Sequence, residues 1–357
     1  MEGQHTEIPP PADDPRPLVY AIGTLGFGFP TEARRDAFRR RMEPVPEPGT
    51  ADGGQTGPPP DPDHPGQLRR YLMGNPWASD KLTWTLDGDH TPVYALEAET
   101  PVGLDRSGPP GPGPSGPAER DAPRRAAEDP GELARLLETL RYPPVSRVYR
   151  IFRDAIAGQG LPADDPGFVS RVTVPGRLTG RSTRLRSGQV VPVVEVSAHG
   201  LHAWYERALI DRATAAISGQ AAGHDPAWSG AGSPGRLEEQ LRALLDKVYQ
   251  QFRNLGRSAA DRAANHVGTD AFLLGTLLGD GLLSARHVPG ARDHLYALEG
   301  ISVAGSPACR PGSDCHDVVV TFRDPADGGR PRVAYRFTID VSDELPVSLA
   351  PVHVSRR

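Results

Sequence analysis

Two cysteines provide the strongest local chemistry in this chain. Cys309 and Cys315, its only cysteines, lie six positions apart in the Pro- and Gly-rich segment Ser306–Asp317. Thiolates on a tight loop can bind zinc, which prefers sulfur and nitrogen ligands. The pair supplies half of a tetrahedral set, so a further histidine or the same pair from a second copy must complete it. His316 directly follows Cys315 and is a poorly placed third ligand.

The cysteine pair predicts a structural zinc rather than a catalytic one, because no carboxylate base or open fourth position is evident beside it. Two alternatives stay open. The first is a Cys309–Cys315 disulfide, which a reducing cytosol disfavours. The second is a pair of inert thiols, with Asp314 and Asp317 capping the loop.

Arginines form the second group of candidate binding residues. Arg177 and Arg181 begin the densest basic run, which ends at Arg186, while Arg34 and Arg35 form a smaller cluster. Guanidinium groups hold carboxylates in two-pronged hydrogen bonds, so these residues could bind an acidic peptide or a partner protein. We favour the alternative of solvated faces, because charged runs usually face water.

Known catalytic motifs are missing from the sequence. It contains no phosphate-binding P-loop, no Gly-x-Ser-x-Gly nucleophile motif and no His-Glu-x-x-His zinc motif. Gly23, Gly26 and Gly28 follow a strand, but their spacing predicts a tight turn rather than a dinucleotide site. With no protease or nucleotide-binding motif, we expect a binding role rather than catalysis.

Composition narrows the class of protein. The 357 residues include 40 Gly and 39 Pro, and the formal net charge of −5 argues against a nucleic-acid-binding face. Of the 40 basic residues only Lys81 and Lys247 are lysines. No apolar run approaches 18 residues and the N-terminus has no apolar signal core, so we expect no membrane span and a cytoplasmic location.

Pro- and Gly-rich segments divide the chain. We predict a disordered N-terminus at 1–17, an N-terminal α+β subdomain at 18–217, a linker at 218–235 and a C-terminal α+β subdomain at 236–357. The first subdomain carries Pro/Gly-rich insertions at 44–65 and 103–123, which read as disordered or linker segments.

Hydrophobic spacing predicts the elements. Thr31 is expected to cap a helix to Met42, and Ser258 one to about Leu283. Further helices are predicted in four segments: Trp77–Leu86, Pro130–Leu140, Leu201–Ile217 and Pro234–Leu255, the last with Gly256 as its C-cap. Four strand patterns follow the last helix: Leu295–Val303, Asp317–Phe322, Val333–Val341 and Pro346–Val354. Helices and short strands followed by a helical pair and a C-terminal, mainly antiparallel sheet indicate an α+β fold.

Ordered motifs along the chain resemble one known family. They include Val19-Tyr-Ala-Ile-Gly23, Leu82-Thr-Trp-Thr-Leu86, Thr91-Pro-Val-Tyr-Ala-Leu96, Arg253-Asn-Leu-Gly256 and Cys309-Arg-Pro-Gly-Ser-Asp-Cys315. From about Leu18 to Val352 the sequence resembles the domain of unknown function that ends the cyanobactin maturation proteins PatA and PatG. No protease domain precedes it here, so the resemblance does not carry over leader cleavage or macrocyclisation.

The resemblance implies a role in maturing ribosomally synthesised, post-translationally modified peptides. We expect an accessory or scaffold domain that binds the precursor peptide, tailoring enzymes or a separate protease, and that forms a homodimer around zinc. The alternative is a zinc-dependent peptide-modifying enzyme that uses Cys309 and Cys315. The Cys-x5-Cys loop fits the family pattern, whereas His316 stands where relatives tend to have an aromatic residue, which weakens it as a ligand.

Overall fold

A computed structural model describes eight parts of the chain. They are residues 16–44, 59–98, 146–222, 234–251, 253–274, 284, 288 and 295–357. The predicted insertion at 103–123 and the predicted helix Pro130–Leu140 lie outside these residues. The division at 218–235 stays a prediction, and so does the disorder of 1–17 and of 44–65.

Helices and strands are interspersed in the first half of the chain, whereas in the second half three helices precede the remaining strands. The α-helices are α1 (Glu32–Arg41), α2 (Pro65–Gly74), α3 (Ser146–Gln159), α4 (Glu206–Ala222), α5 (Pro234–Gln251) and α6 (Ala259–Leu274), with a 3-10 helix at Pro76–Lys81. The strands before α4 are β1 (Leu18–Gly28), β2 (Thr83–Gly88), β3 (Thr91–Ala98), β4 (Val169–Arg184), β5 (Val190–Val196) and β6 (His202–Tyr205). The strands after α6 are β7 (Ala297–Gly305), β8 (Cys315–Arg323), β9 (Val333–Asp340), β10 (Val347–Ser348) and β11 (His353–Arg356).

The first sheet closes on itself. Its strands follow the order β1-β2-β3-β5-β4-β6, and β1 also pairs with β4, so five strands form a ring with β6 beside β4. Every pair is antiparallel except β3 with β5. Closure leaves few free strand edges, which protects a sheet from pairing with other chains.

One face of this sheet forms a core with the early helices. Trp84 and Leu86 of β2 alternate with outward residues, as expected for a half-buried strand. They pack with Phe38 of α1, Leu72 of α2 and Phe152 of α3, all of which are buried. The side chains of these helices therefore cover this face of the sheet.

The second sheet is antiparallel and shares its core with the first half. Its order is β10-β9-β8-β7, and β11 also pairs with β9. Phe322 and Tyr335 of this sheet lie in one buried cluster with Val267 of α6. Ile22 of β1 and Trp204 of β6 belong to the same cluster, so residues from both halves of the chain form one continuous core.

A backbone junction holds the two halves together. Gly256 has φ +63, and an added Cβ would fall against the carbonyl oxygen of Tyr20 and 2.5 Å from its carbonyl carbon. The Tyr20 N–H donates to the Gly256 carbonyl at 3.0 Å, and Asn265 Nδ2 donates to the Tyr20 carbonyl at 2.7 Å. Only glycine fits this left-handed, close-packed position.

The α+β fold is confirmed, and so are both predicted N-caps. Thr31 Oγ1 accepts from the Arg34 amide at 3.2 Å, and Ser258 Oγ accepts from the Asp261 amide at 3.1 Å. No helix in the described ranges is long and apolar enough to cross a membrane.

Three local predictions are wrong. Trp77–Leu86 is a 3-10 helix followed by strand β2, and Leu201–Ile217 begins with strand β6 before its helix. Pairing with distant strands outweighs the local helical spacing in both cases. Helix α5 ends at Gln251, so Gly256 is no C-cap and is needed instead for its contact with Tyr20.

Candidate binding site

The structure joins the two cysteines in a disulfide. Cys309 and Cys315 have Cα atoms 5.3 Å apart and close the loop between β7 and β8. Cys315 is buried at the start of β8. Two backbone hydrogen bonds of Asp314 also hold this loop. The Asp314 amide donates to Ser342 Oγ at 2.8 Å, and the Asp314 carbonyl accepts from the Val341 amide at 2.9 Å.

The described residues supply no third zinc ligand at this loop. His316 Nε2 lies 3.0 Å from Asp314 Oδ1. No group of three or more His, Cys, Asp or Glu side chains suited to a metal ion occurs in the described part of the chain. The described residues therefore bring together no intrachain ligand set, and a structural zinc at Cys309 and Cys315, held within one chain or shared between two copies, stays a prediction.

Arg177 and Arg181, the predicted binding arginines of β4, both contact carboxylates. Arg177 Nε donates to Glu344 Oε1 at 2.5 Å, and its guanidinium lies 3.8 Å from Asp343. This contact ties β4 to the segment after β9. Arg181 donates to Glu97 at 2.5 Å in an exposed pair.

The two predicted binding arginines of α1 differ in exposure, since Arg35 is half-buried. Arg34 is exposed, and Arg35 forms an ion pair with Asp63. Three of the four predicted arginines thus have carboxylate partners, and those partners lie on three separate segments of the chain. A groove for an acidic peptide stays a prediction.

A cavity of 210 Å³ lies on the face of β1 and β2 opposite the buried Trp84 and Leu86. We call it the β1–β2 pocket. Its lining residues are Gly26, Phe27, Gly28, Phe29, Thr83, Thr85, Asp87, Pro92, Leu185, Arg186 and Ser187.

Strand register explains why small and polar residues meet in the β1–β2 pocket. Gly26 lies opposite Thr85, and Gly28 opposite Thr83. Since side chains alternate between the faces of a strand, these residues share one face with Asp87. An added Cβ on Gly26 would lie 2.5 Å from Thr85 Oγ1 and 2.8 Å from Asp87 Oδ2, so glycine leaves room for both side chains.

Asp87 is the chemically distinctive residue of the β1–β2 pocket. Its Oδ1 is buried and accepts no hydrogen bond from any described residue. Burial raises the pKa of Asp87 above its usual value, against the lowering effects of the Thr85 hydroxyl and of His90. Asp87 therefore places on the wall of the β1–β2 pocket a carboxylate whose hydrogen bonds to the described residues are incomplete.

The turn between β4 and β5 covers the β1–β2 pocket. Leu185 of this turn packs beside Ala95 and Val193. Gln189 Nε2 donates to the Pro92 carbonyl at 2.7 Å, which ties the turn to β3. Arg186 forms an ion pair with Glu32 at the start of α1, which ties it to that helix.

Comparisons with known proteins identify the family. A family model described as PatG C-terminal matches residues 232–354. A solved structure titled "PatG Domain of Unknown Function" is similar with 30% sequence identity and a TM-score of 0.67, covering 96% of this chain and 100% of that chain. This chain belongs to the PatG C-terminal family. No curated protein matches it.

Within this PatG-type domain, the pocket and the disulfide lie in different parts of the sequence. The disulfide falls inside the span of the family model, whereas all the lining residues of the β1–β2 pocket precede it. Sequence reasoning missed this pocket. Its one local signal was the set of glycines Gly23, Gly26 and Gly28, and the predicted tight turn is wrong because they lie inside strand β1.

Proposed function

We propose that this chain is an accessory domain that binds the precursor peptide during maturation of ribosomally synthesised, modified peptides. Membership of the PatG C-terminal family supports the pathway. The β1–β2 pocket supports the binding role and carries the proposal, because concave sites with a few convergent polar groups are the usual sites of ligand binding.

Peptide recognition suits the architecture of the β1–β2 pocket. Its floor consists of paired strands and its cover is a turn anchored by Gln189 and Arg186. A site built on paired strands and tied at two points is ordered before its ligand arrives, which lowers the entropy lost on binding. The cavity is large enough for one side chain or a chain terminus, so peptide residues outside it would lie on the surrounding surface.

Filling the pocket tests this function. Gly28 lines the cavity, and an added Cβ there meets nothing within 4 Å, so Gly28→Val should fold while occupying the ligand's space. The control is Gly305→Val, which places the same side chain in strand β7, again with nothing within 4 Å. Binding is measured by fluorescence anisotropy with a labelled synthetic precursor peptide whose N-terminus is free.

We expect Gly28→Val to weaken peptide binding about tenfold or more, while Gly305→Val binds like the native chain. About tenfold corresponds to about 1.4 kcal/mol, a modest steric loss for a pocket that recognises one group. The proposal fails if the native chain does not bind the peptide, or if both variants bind it equally well. If the chain binds a tailoring enzyme and does not bind the peptide, its partner is a protein and the peptide-binding proposal is wrong.

A further inference from the structure

The charge of the β1–β2 pocket indicates its ligand. We infer that it binds an organic cation with N–H donors on a short aliphatic stem, such as a lysine side chain or the N-terminal ammonium of a peptide. The assignment to a peptide rests on the proposed function above, while the chemistry of the pocket rests on the following contacts.

One carboxylate on the wall of the pocket, that of Asp87, has incomplete hydrogen bonds. Asp87 Oδ1 is buried and has no hydrogen-bond partner among the described residues. Asp87 Oδ2 lies beside Thr85 over the backbone of Gly26. Carboxylates removed from water are normally paired with cations or multiple donors, so the Asp87 carboxylate is the group on the pocket wall that a ligand donor would complete.

Charge favours a cation over an anion. Asp87 and Arg186 are the charged residues among those that line the cavity. Arg186 is already paired with Glu32, whereas Asp87 has no arginine or lysine ion-pair partner in the part of the chain that the structure describes. A carboxylate ligand would meet this charge directly, and like charges at contact distance repel. The acidic peptide that suits the arginine clusters is therefore a different ligand from the one that suits this pocket.

Size and polarity favour a short chain. The cavity of 210 Å³ corresponds to roughly seven water molecules at about 30 Å³ each. A butylammonium ion has five non-hydrogen atoms, so it fits with room for a bridging water. Pro92 and Leu185 offer apolar surface to the stem, and Thr83 and Ser187 supply hydroxyl groups near it.

The test uses the full chain and simple probes. Amide chemical shifts are followed by NMR during titration with butylammonium chloride, with 1-butanol as the neutral match and acetate as the anion. Butylguanidinium and glycinamide distinguish an arginine-like group and a peptide N-terminus from a lysine-like ammonium. Asp87→Asn removes the charge at constant shape, and Asp80→Asn is the matched control, because Asp80 is an exposed carboxylate outside the pocket.

We expect butylammonium to shift the amides of Gly26, Gly28 and Ser187, with at least tenfold weaker binding to Asp87→Asn and no change in Asp80→Asn. If Asp87→Asn does not fold, the carboxyl carbon shift of Asp87 in the native chain decides, since a bound cation must move it. Equal shifts from 1-butanol, or stronger ones from acetate, would overturn the inference.

The outcomes for the two proposals are separable. Precursor peptide that binds equally to the native chain and to Asp87→Asn, and is not displaced by excess butylammonium, overturns the cation assignment and leaves the peptide-binding function standing. Butylammonium that binds at Asp87 while the precursor peptide does not bind overturns that function and leaves the pocket chemistry standing.

Discussion

Replacing Gly256 by alanine should weaken the contact between the two halves of the chain. Residue 256 has φ +63, which costs an L-residue about 1 kcal/mol. The new methyl group would overlap backbone atoms of Tyr20 and lie 2.8 Å from the Ala21 Cα, and none of these can rotate away. Such overpacking costs about 1–3 kcal/mol. Moving the backbone apart would also strain the Tyr20–Gly256 hydrogen bond, at about 1 kcal/mol.

Together these effects predict a loss of about 3–5 kcal/mol, a large fraction of the about 5–15 kcal/mol that stabilises a typical protein. Gly180→Ala is the matched control, because Gly180 has φ +76 but an added Cβ there meets nothing within 4 Å. It should lose only the conformational part, about 1 kcal/mol.

Urea unfolding followed by tryptophan fluorescence measures both variants, since Trp84 and Trp204 are buried, one in each core cluster. The midpoint of Gly256→Ala should fall well below that of Gly180→Ala with a similar slope. Equal losses in the two variants would refute the close contact as the reason for glycine at position 256.

Three further predictions concern the arginine, the pocket carboxylate and the cysteines. A double-mutant cycle of Arg177→Gln and Glu344→Gln, measured by urea unfolding, should give a coupling free energy of about 1 kcal/mol or less, because both side chains are partly exposed. A coupling of zero would show that this ion pair does not link the two halves of the chain. Folding raises the pKa of Asp87 above its usual value near 3.8, so between these two values the folded chain binds more protons than the unfolded chain. The free energy of unfolding should therefore fall as the pH rises through that window. Asp87→Asn should lack this pH dependence in urea unfolding. The shared-zinc prediction expects half an equivalent of zinc per chain after reduction of Cys309–Cys315, measured by elemental analysis, and metal-free reduced protein would retire it.

Features that depend on nearby residues could be predicted from the sequence. Thr31 and Ser258 cap their helices through residues three positions away, so the signal is contained in a short segment. The α+β class follows similarly from the order of helical and strand patterns. The six-residue spacing of Cys309 and Cys315 correctly indicated that the two sulfurs could meet, but spacing cannot choose between zinc and a disulfide.

Features that depend on distant pairing could not be predicted. Strand β2 has helix-like apolar spacing around Trp84, and its pairing with β1 and β3 decides its conformation. The β1–β2 pocket needs that register and also the Gln189–Pro92 hydrogen bond, which joins residues 97 positions apart. No local motif contains that information.

The core that both halves of the chain share limits where the protein can be truncated. A fragment restricted to 232–354, the span that the family model matches, would lack Ile22, Trp204 and the Tyr20 backbone. Helix α6 would then present its bare apolar side to water, and such surfaces promote aggregation. A fragment that keeps this core must therefore begin upstream of Leu18. The residue range that the family model matches is thus shorter than the unit that folds together.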